Sequence, residues 1–272
     1  MTHVVVSMPT YRTPAKLLDR AVRSVLNQTH DDLTLVVVAD GYRVPKLPDD
    51  PRIVVHQLPE NRGRYFADAV VTGTLEDRDV WVVHDADDWS EPDRFERLLP
   101  AMVDGAATAR YWRHNFRGGK TYIQEPARAR FRQPSEPFVH IGHWVAGAYT
   151  GERVRRAGGV HPGYRVGFDT LFVRMVALTG PVGISDYASY HWCRRDGGSL
   201  TTSPKTRFGS PYRRDAKAGL VKLNAAAWAR RHDDPGQVIR DDVPAKLARE
   251  VDVEVAVLAA KLDRAACGKR SD

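Results

Sequence analysis

The densest concentration of reactive groups in the chain is Asp85-Ala86-Asp87-Asp88, which follows the apolar run Val80-Trp81-Val82-Val83 after the single residue His84. Carboxylates this close repel one another and resist joint ionisation unless a cation neutralises them. Magnesium and manganese are hard cations that take oxygen ligands and usually bring substrate phosphates with them. A strand end offering acidic ligands to a metal–diphosphate complex is therefore one coherent reading. A solvated acidic turn that helps to cap a helix beginning at Ser90 is the other. The local sequence leaves both open.

Such a turn needs elements to position it. Val4-Val5-Val6, Leu33–Val38, Ile53-Val54-Val55 and Val80–Val83 are β-branched or apolar runs with the length of buried strands. Between them lie helical patterns. Thr13-Pro14 supplies a cap and an early proline for a helix whose apolar face is Leu17, Leu18, Ala21, Val22, Val25 and Leu26. A second helix is expected from Arg64 to Leu75. A third is expected from the capping box Ser90-Glu91-Pro92-Asp93 to about Met102. Strands alternating with helices predict an α/β fold, with a mostly parallel sheet covered on both faces. Ligands of such sheets bind beyond the carboxyl ends of the strands. Pro9–Arg12, Asp40–Tyr42 and Asp85–Asp88 all occupy such ends. The pattern weakens over Arg110–Pro137, where strands or loops covering the site are expected and where Arg128, Arg130 and Arg132 alternate. A helix is predicted over Asp169–Leu178. Helices rich in Ala, Arg, Lys and Leu follow Pro211, so residues 1–210 are read as the catalytic domain and 211–272 as a helical extension. Val251, Val255, Leu258 and Leu262 give the last helix, about Val243–Ala266, an apolar face that must pack on the domain or on a second copy.

The composition is that of an ordinary globular chain, 42% hydrophobic and 28% charged over 272 residues. Its formal net charge of +7 suits an anionic ligand. The two cysteines, Cys193 and Cys267, make neither a disulfide framework nor a zinc site. With no signal-peptide pattern and no long apolar run, a cytoplasmic location is expected, and peripheral membrane contact remains compatible with it. No zinc spacing or recognition motif supports nucleic-acid binding.

Several segments together resemble the family-2 glycosyltransferases, which have a GT-A fold. Val82–Asp88 followed by Pro92-Asp93-Arg94-Phe95 looks like that family's metal-binding DXD region. Val4–Tyr11, Ala21–Thr29, Val36–Gly41 and Glu60-Asn61-Arg62-Gly63 resemble its first strand, first helix, second strand and following loop. Gly158-Gly159-Val160, Phe168-Asp169 and Gly198–Thr201 fall where its acceptor-side motifs lie. The resemblance implies an inverting transfer of a sugar from a UDP-, dTDP- or GDP-sugar to an acceptor hydroxyl, with Mn2+ or Mg2+ as cofactor. It implies that Pro9, Tyr11 and Asp40 meet the nucleotide base and that Arg62 lies near the base or phosphates. Asp85 would sit near the ribose and Asp87 on the metal, with Asp88 a helper. Either His191 or Asp196 would complete the metal shell, and Arg194 would help the departing diphosphate. Asp169 would be the general base; on its local sequence it is also a helix-cap candidate. His191 and Trp144 also read as packed core residues, an alternative that stays open.

The chain departs from the family pattern at Arg12, where Asn is common, at Ala39 before Asp40, and at Phe168 before Asp169. Two other classes are weighed. A nucleotidyltransferase would carry a glycine-rich loop after the first strand, whereas Met8–Arg12 has no glycine. A non-catalytic nucleotide-sugar binder has no need of Asp85, Asp87 and Asp169 together.

Overall fold

Beta-branched runs become the central strands, because their stiff side chains pack well on a pleated, buried surface. The computed structural model describes residues 2–115, 121–124, 143–193, 200 and 203–268. In chain order its elements are β1 (Val4–Thr10), α1 (Ala15–Leu26), β2 (Leu33–Asp40), β3 (Ile53–Leu58), α2 (Arg64–Gly73) and β4 (Val80–Val83). These are followed by β5 (Trp89–Ser90), α3 (Arg94–Leu98), β6 (Ala106–Ala109), β7 (Trp112–Asn115) and β8 (Thr121–Gln124). Then come β9 (Gly147–Thr150), α4 (Gly151–Arg156), α5 (Phe168–Leu178), β10 (Gly183–Ser185) and β11 (Tyr190–Cys193). Helices α6 (Pro211–Ala229), α7 (Gln237–Asp242) and α8 (Ala245–Gly268) close the chain.

The main sheet has seven strands in the order β10-β6-β9-β4-β1-β2-β3. Strands β3, β2, β1 and β4 are mutually parallel, and β9 runs antiparallel between β4 and β6. Alternation along β1 sends side chains to opposite faces. Val4, Val6 and Met8 pack with Leu18, Val22 and Val25 of α1. Val5 joins Phe66 and Val70 of α2, Trp81, and Phe172 of α5 on the other face. A smaller sheet, β5-β11-β7-β8, lies beside the carboxyl end of β4.

Two local expectations give way to tertiary contacts. Ser90 does not cap a helix: it belongs to β5, which pairs antiparallel with Tyr190 and His191, and α3 starts only at Arg94. Its hydroxyl accepts from the Arg94 guanidinium instead, at 3.1 Å. Thr13 does not cap α1 with its side chain; its hydroxyl is bonded to Thr10 at 3.0 Å, and the helix begins after Pro14.

The last helix forms two residues later than expected and lies on its own domain, against α2 and β3. Gly73 allows the approach, since a Cβ there would lie 2.5 Å from Val255. Leu258 is fully buried, and Glu254 meets buried His56 at 2.8 Å. Among the described residues no helix is long and apolar enough to cross a membrane.

Candidate active site

The acidic turn begins where β4 stops. The His84 amide donates to the Ser7 carbonyl at 2.9 Å, which continues the β1–β4 ladder by one bond. The Asp88 amide then donates to the Asp85 carbonyl at 3.1 Å and closes the turn. His84 is wholly buried, and its ring contacts the Asp85 carbonyl at 2.9 Å. Burial, reinforced by the nearby Arg94 cation, pushes its pKa from the usual 6.5 to about 3, so it is a neutral support for the turn.

The three aspartates have different surroundings. Asp88 is 1% exposed, and both its oxygens are occupied: the Tyr190 hydroxyl donates to one and the Cys193 amide to the other, each at 2.7 Å. Burial, with the charges of Asp85 and Asp87 beside it, raises its pKa well above the carboxylate range. As placed, Asp88 clasps β11 to the turn. Asp85 and Asp87 are half-buried. The Asp85 amide donates to the Tyr190 hydroxyl at 3.1 Å, and the Asp87 carbonyl accepts from Arg20 of α1 at 2.7 Å.

Helix α2 ties this turn to the second half of the chain. Arg64, its first residue, is paired with Asp85 and reaches Asp68 one turn on, at 3.4 Å. Asp68 is fully buried; burial lifts its pKa to about 6, and Ser7 donates to it at 2.7 Å. The Trp81 indole in turn donates to Ser7 at 2.9 Å. The next residue, Tyr65, donates its hydroxyl to Asp169 at 3.2 Å and accepts from the Asp169 amide at 3.3 Å. Two adjacent residues of one helix therefore hold Asp85 and Asp169, which are far apart in sequence. The charges of both aspartates also reach His143, although burial dominates there and lowers its pKa. The His143 Nδ1 and Trp144 Nε1 atoms are buried without a hydrogen-bond partner among the described residues.

Asp169 is the second residue of α5, half-buried, and it does not cap the helix. The cap position is Gly167, with φ of 83°, a left-handed conformation that glycine adopts without a steric penalty. Trp144 is 2% exposed and packs edge-on against Tyr65, Trp81 and Phe172, at centroid distances of 5.7, 5.2 and 5.2 Å.

The expected base-binding residues lie on the same sheet edge, because β1, β2 and β4 are parallel neighbours. Pro9 sits in β1 opposite Val38. Tyr11 is 46% exposed and meets the Tyr42 ring edge-on at 6.0 Å. Asp40 is buried and accepts from the Arg62 amide at 2.6 Å, the Gly63 amide at 2.9 Å and the Asn61 side chain at 2.9 Å. Gly41, with φ of 72°, makes room for this fold-back, since a Cβ would come within 2.2 Å of the Asn61 nitrogen. Arg62 itself turns away from the acidic turn, towards Glu60 and Glu250 of α8, and lies over the Phe66 ring at 4.4 Å. Two other guanidiniums reach the acidic turn, Arg64 at the Asp85 carboxylate and Arg20 at the Asp87 carbonyl.

His191 is buried in β11, stacked on Trp89 at 3.4 Å. One ring nitrogen meets Glu91 at 2.8 Å and the other Asn115 at 3.2 Å. Burial lowers its pKa, and Glu91 only partly offsets this. Both nitrogens are thus engaged in packing. Arg194, Asp196 and the Arg128/Arg130/Arg132 series lie outside the described residues.

Sequence reasoning passed over Arg64, Tyr65 and Tyr190. Arg64 did carry a signal, its i, i+4 spacing to Asp68 just after Asn61-Arg62-Gly63. Tyr65 and Tyr190 had none, since their partners come from distant segments.

Among the described residues no three His, Cys, Asp or Glu side chains converge to hold a metal alone. Magnesium and manganese commonly bind through one or two carboxylates plus phosphate oxygens, and the half-buried Asp85 and Asp87 are carboxylates of that kind.

Solved structures share this fold. Residues 1–349 of S. aureus TarS in complex with UDP-GlcNAc superpose with a TM-score of 0.58 at 16% identity, over 85% of this chain and 72% of that one. GalNAc-T7 with UDP, GalNAc and Mn2+ gives 0.57 at 13% identity, over 92% of this chain and 55% of that one. No curated protein matches the chain in sequence. Residues 5–158, more than half the chain and the stretch that carries both β1 and the acidic turn, match the profile of glycosyl transferase family 2. The chain belongs to glycosyl transferase family 2.

Proposed function

We propose that this nucleotide-sugar-dependent glycosyltransferase is metal-dependent and inverting, with the donor diphosphate held at the Asp85–Asp87 turn and Asp169 as the general base. One observation carries the reading: Arg64 and Tyr65, consecutive on α2, hold Asp85 and Asp169 respectively. That geometry supports reading Asp85 as a donor anchor and Asp169 as a proton acceptor held by one helix. The UDP and UDP-GlcNAc held by the TarS structures favour a uridine donor.

Asp87, with Asp85 beside it, would hold Mn2+ or Mg2+, which when bound neutralises charge on the donor diphosphate. Arg64 adds a second cation at that place. Tyr11 and Asp40 would meet the base, the first through its exposed ring and the second through its remaining acceptor capacity. Asp169 takes the proton from the acceptor hydroxyl. The acceptor oxygen bonds to the anomeric carbon from the face opposite the leaving group. The bond from that carbon to the diphosphate oxygen breaks, and its electron pair leaves with the diphosphate. Tyr65 orients the Asp169 carboxylate through its hydroxyl. Asp88 and His191 act through position, by fixing β11 and β5 against the turn.

Calorimetry with UDP tests the donor half. Wild type should bind UDP at least about ten-fold more tightly with manganese than without, a difference of ~1.4 kcal/mol. Asp87→Ala should remove that gain while leaving the melting temperature unchanged. Equal UDP affinity with and without metal in the wild type would overturn the metal assignment.

A further inference from the structure

Leu200, Phe208, Tyr212 and Val221 are exposed large apolar side chains within one stretch of the chain, and Phe208, at 72%, is the most exposed of such side chains among the described residues. Hydrogen bonds tie the stretch into one surface. Ser210 caps α6 by accepting from the Arg213 amide at 3.2 Å. The Arg213 guanidinium reaches back to the Thr206 carbonyl at 2.8 Å and the Leu200 carbonyl at 3.4 Å. It lies over the Phe208 ring at 4.7 Å, and Lys205 lies over the Tyr212 ring at 6.0 Å. Phe208 and Val221 also line a largely apolar groove between α5 and α6, with Val166, Thr170, Leu171 and Leu220. The same segment, 205–222, carries six Lys or Arg residues and a single carboxylate, Asp215. Arg213 and Arg214 donate to backbone carbonyls, which do not neutralise a guanidinium. Among the described residues none of Lys205, Arg207, Arg213, Arg214 and Lys222 is paired with a carboxylate. Arg214, Val221 and Lys222, at i, i+7 and i+8, share the exposed face of α6.

We propose that this surface docks the protein on an anionic lipid bilayer, with Phe208 and its apolar neighbours among the headgroups and the surrounding cations on lipid phosphates. Insertion of apolar side chains and attraction to anionic lipid are the two contributions that hold interfacial helices on a membrane, and this surface supplies both. A nucleic acid would satisfy the cations but would leave Leu200 and Val221 in water, since aliphatic side chains have no partner along a phosphate backbone. A second copy of the chain could cover the apolar side chains, but it would bring like charges face to face. The docking stands apart from the catalytic reading, because no step of the transfer uses this surface.

Co-sedimentation of the full chain with vesicles tests the proposal. Vesicles of phosphatidylglycerol and phosphatidylcholine in equal parts should bind it at least about ten-fold more tightly than phosphatidylcholine alone, and added salt should weaken the binding. Phe208→Ser should weaken it by about ten-fold or more, the size of a lost apolar insertion. Arg214→Glu with Lys222→Glu should weaken it at least as much. Lys16→Glu with Lys46→Glu, also at exposed positions, changes the net charge equally but lies outside the surface, and should leave affinity within about two-fold of wild type. All the changed side chains are exposed, so the melting temperatures should match that of wild type. Absence of wild-type binding to the anionic vesicles, equal binding to phosphatidylcholine alone, or equal losses from the two charge-reversed pairs overturns the proposal. So does binding to a random-sequence oligonucleotide that matches the vesicles in affinity and ignores Phe208→Ser, which would mark a nucleic-acid surface. A dimer in vesicle-free solution that Phe208→Ser splits would overturn it in favour of a second copy.

Discussion

The acidic-turn edge and the α5–α6 side are built from opposite materials. At the acidic-turn edge, buried polar groups satisfy one another in chains. Trp81 donates to Ser7, Ser7 to Asp68, and Arg64 joins Asp68 to Asp85. Asp88 in turn clasps Tyr190 and Cys193. Such networks rigidify a site when every member is satisfied, and a missing member leaves a desolvated group without a partner. On the other side, α5 packs through Phe168 and Phe172 into an aromatic cluster, and its outer face opens on a largely apolar groove. Apolar packing is non-directional and tolerates changes of shape.

The largest effect that tests this division is on turnover. Asp169→Asn should lower transfer by about 10²–10⁴-fold, the contribution of a positioned base, and leave UDP affinity within about two-fold of wild type. Product formation and calorimetry on the same samples measure both. Loss of UDP binding would place Asp169 in the donor site and erase the division between the two sides.

Breaking the donor network should affect stability and donor binding together. Tyr190→Phe removes the hydroxyl that serves both Asp88 and the Asp85 amide, and it should cost about 1–3 kcal/mol, the penalty for a buried group left unsatisfied. Denaturant titration and UDP calorimetry should both register it. Thr170→Trp, in the groove, should leave UDP affinity unaltered. If Tyr190→Phe left both quantities unchanged, the clasp would not be what fixes the turn.

A smaller effect is expected with pH. His84 has a folded pKa of about 3 against the usual 6.5, so below about pH 6.5 the unfolded chain binds a proton that the folded chain does not. Its contribution to stability is therefore present above pH 6.5 and declines as the pH falls towards 3. Asp68, raised to about 6, works in the opposite sense: the folded chain holds its proton longer, which favours folding below that pH. His84→Asn keeps a donor for the Asp85 carbonyl and removes the titration, so its melting temperature should fall less than that of wild type between pH 7 and 4.5. Parallel curves for the two proteins would assign the acid sensitivity elsewhere.

The smallest expected effect concerns α8. Glu254→Gln keeps a hydrogen-bond acceptor for His56 and removes only the charge. It should change stability by less than about 1 kcal/mol, since the partner is partly exposed to solvent. Truncation at Arg240 removes Val255 and Leu258 from the core as well, and should lower the melting temperature visibly.

The sequence by itself determined the parallel strands, since runs such as Leu33–Val38 and Val80–Val83 carry their burial in their composition. It also determined the acidic turn at the end of β4, the helix that begins near Asp169, and the apolar face of the last helix. All of these are short-range properties, written in periodicity and in neighbouring residue types. Tertiary structure decided how deeply each member of a cluster is buried and which partner it meets. Within Asp85–Asp88, it buried Asp88 beneath Tyr190 and left Asp85 and Asp87 half-buried. Of two arginines two residues apart, it turned Arg62 towards Glu250 and Arg64 towards Asp85. It also drew Ser90 into β5, where pairing with β11 outweighs a local capping pattern. The physical reason is the same in each case. A carboxylate or guanidinium is committed by partners that arrive from distant segments, and no local pattern encodes where those segments come to rest.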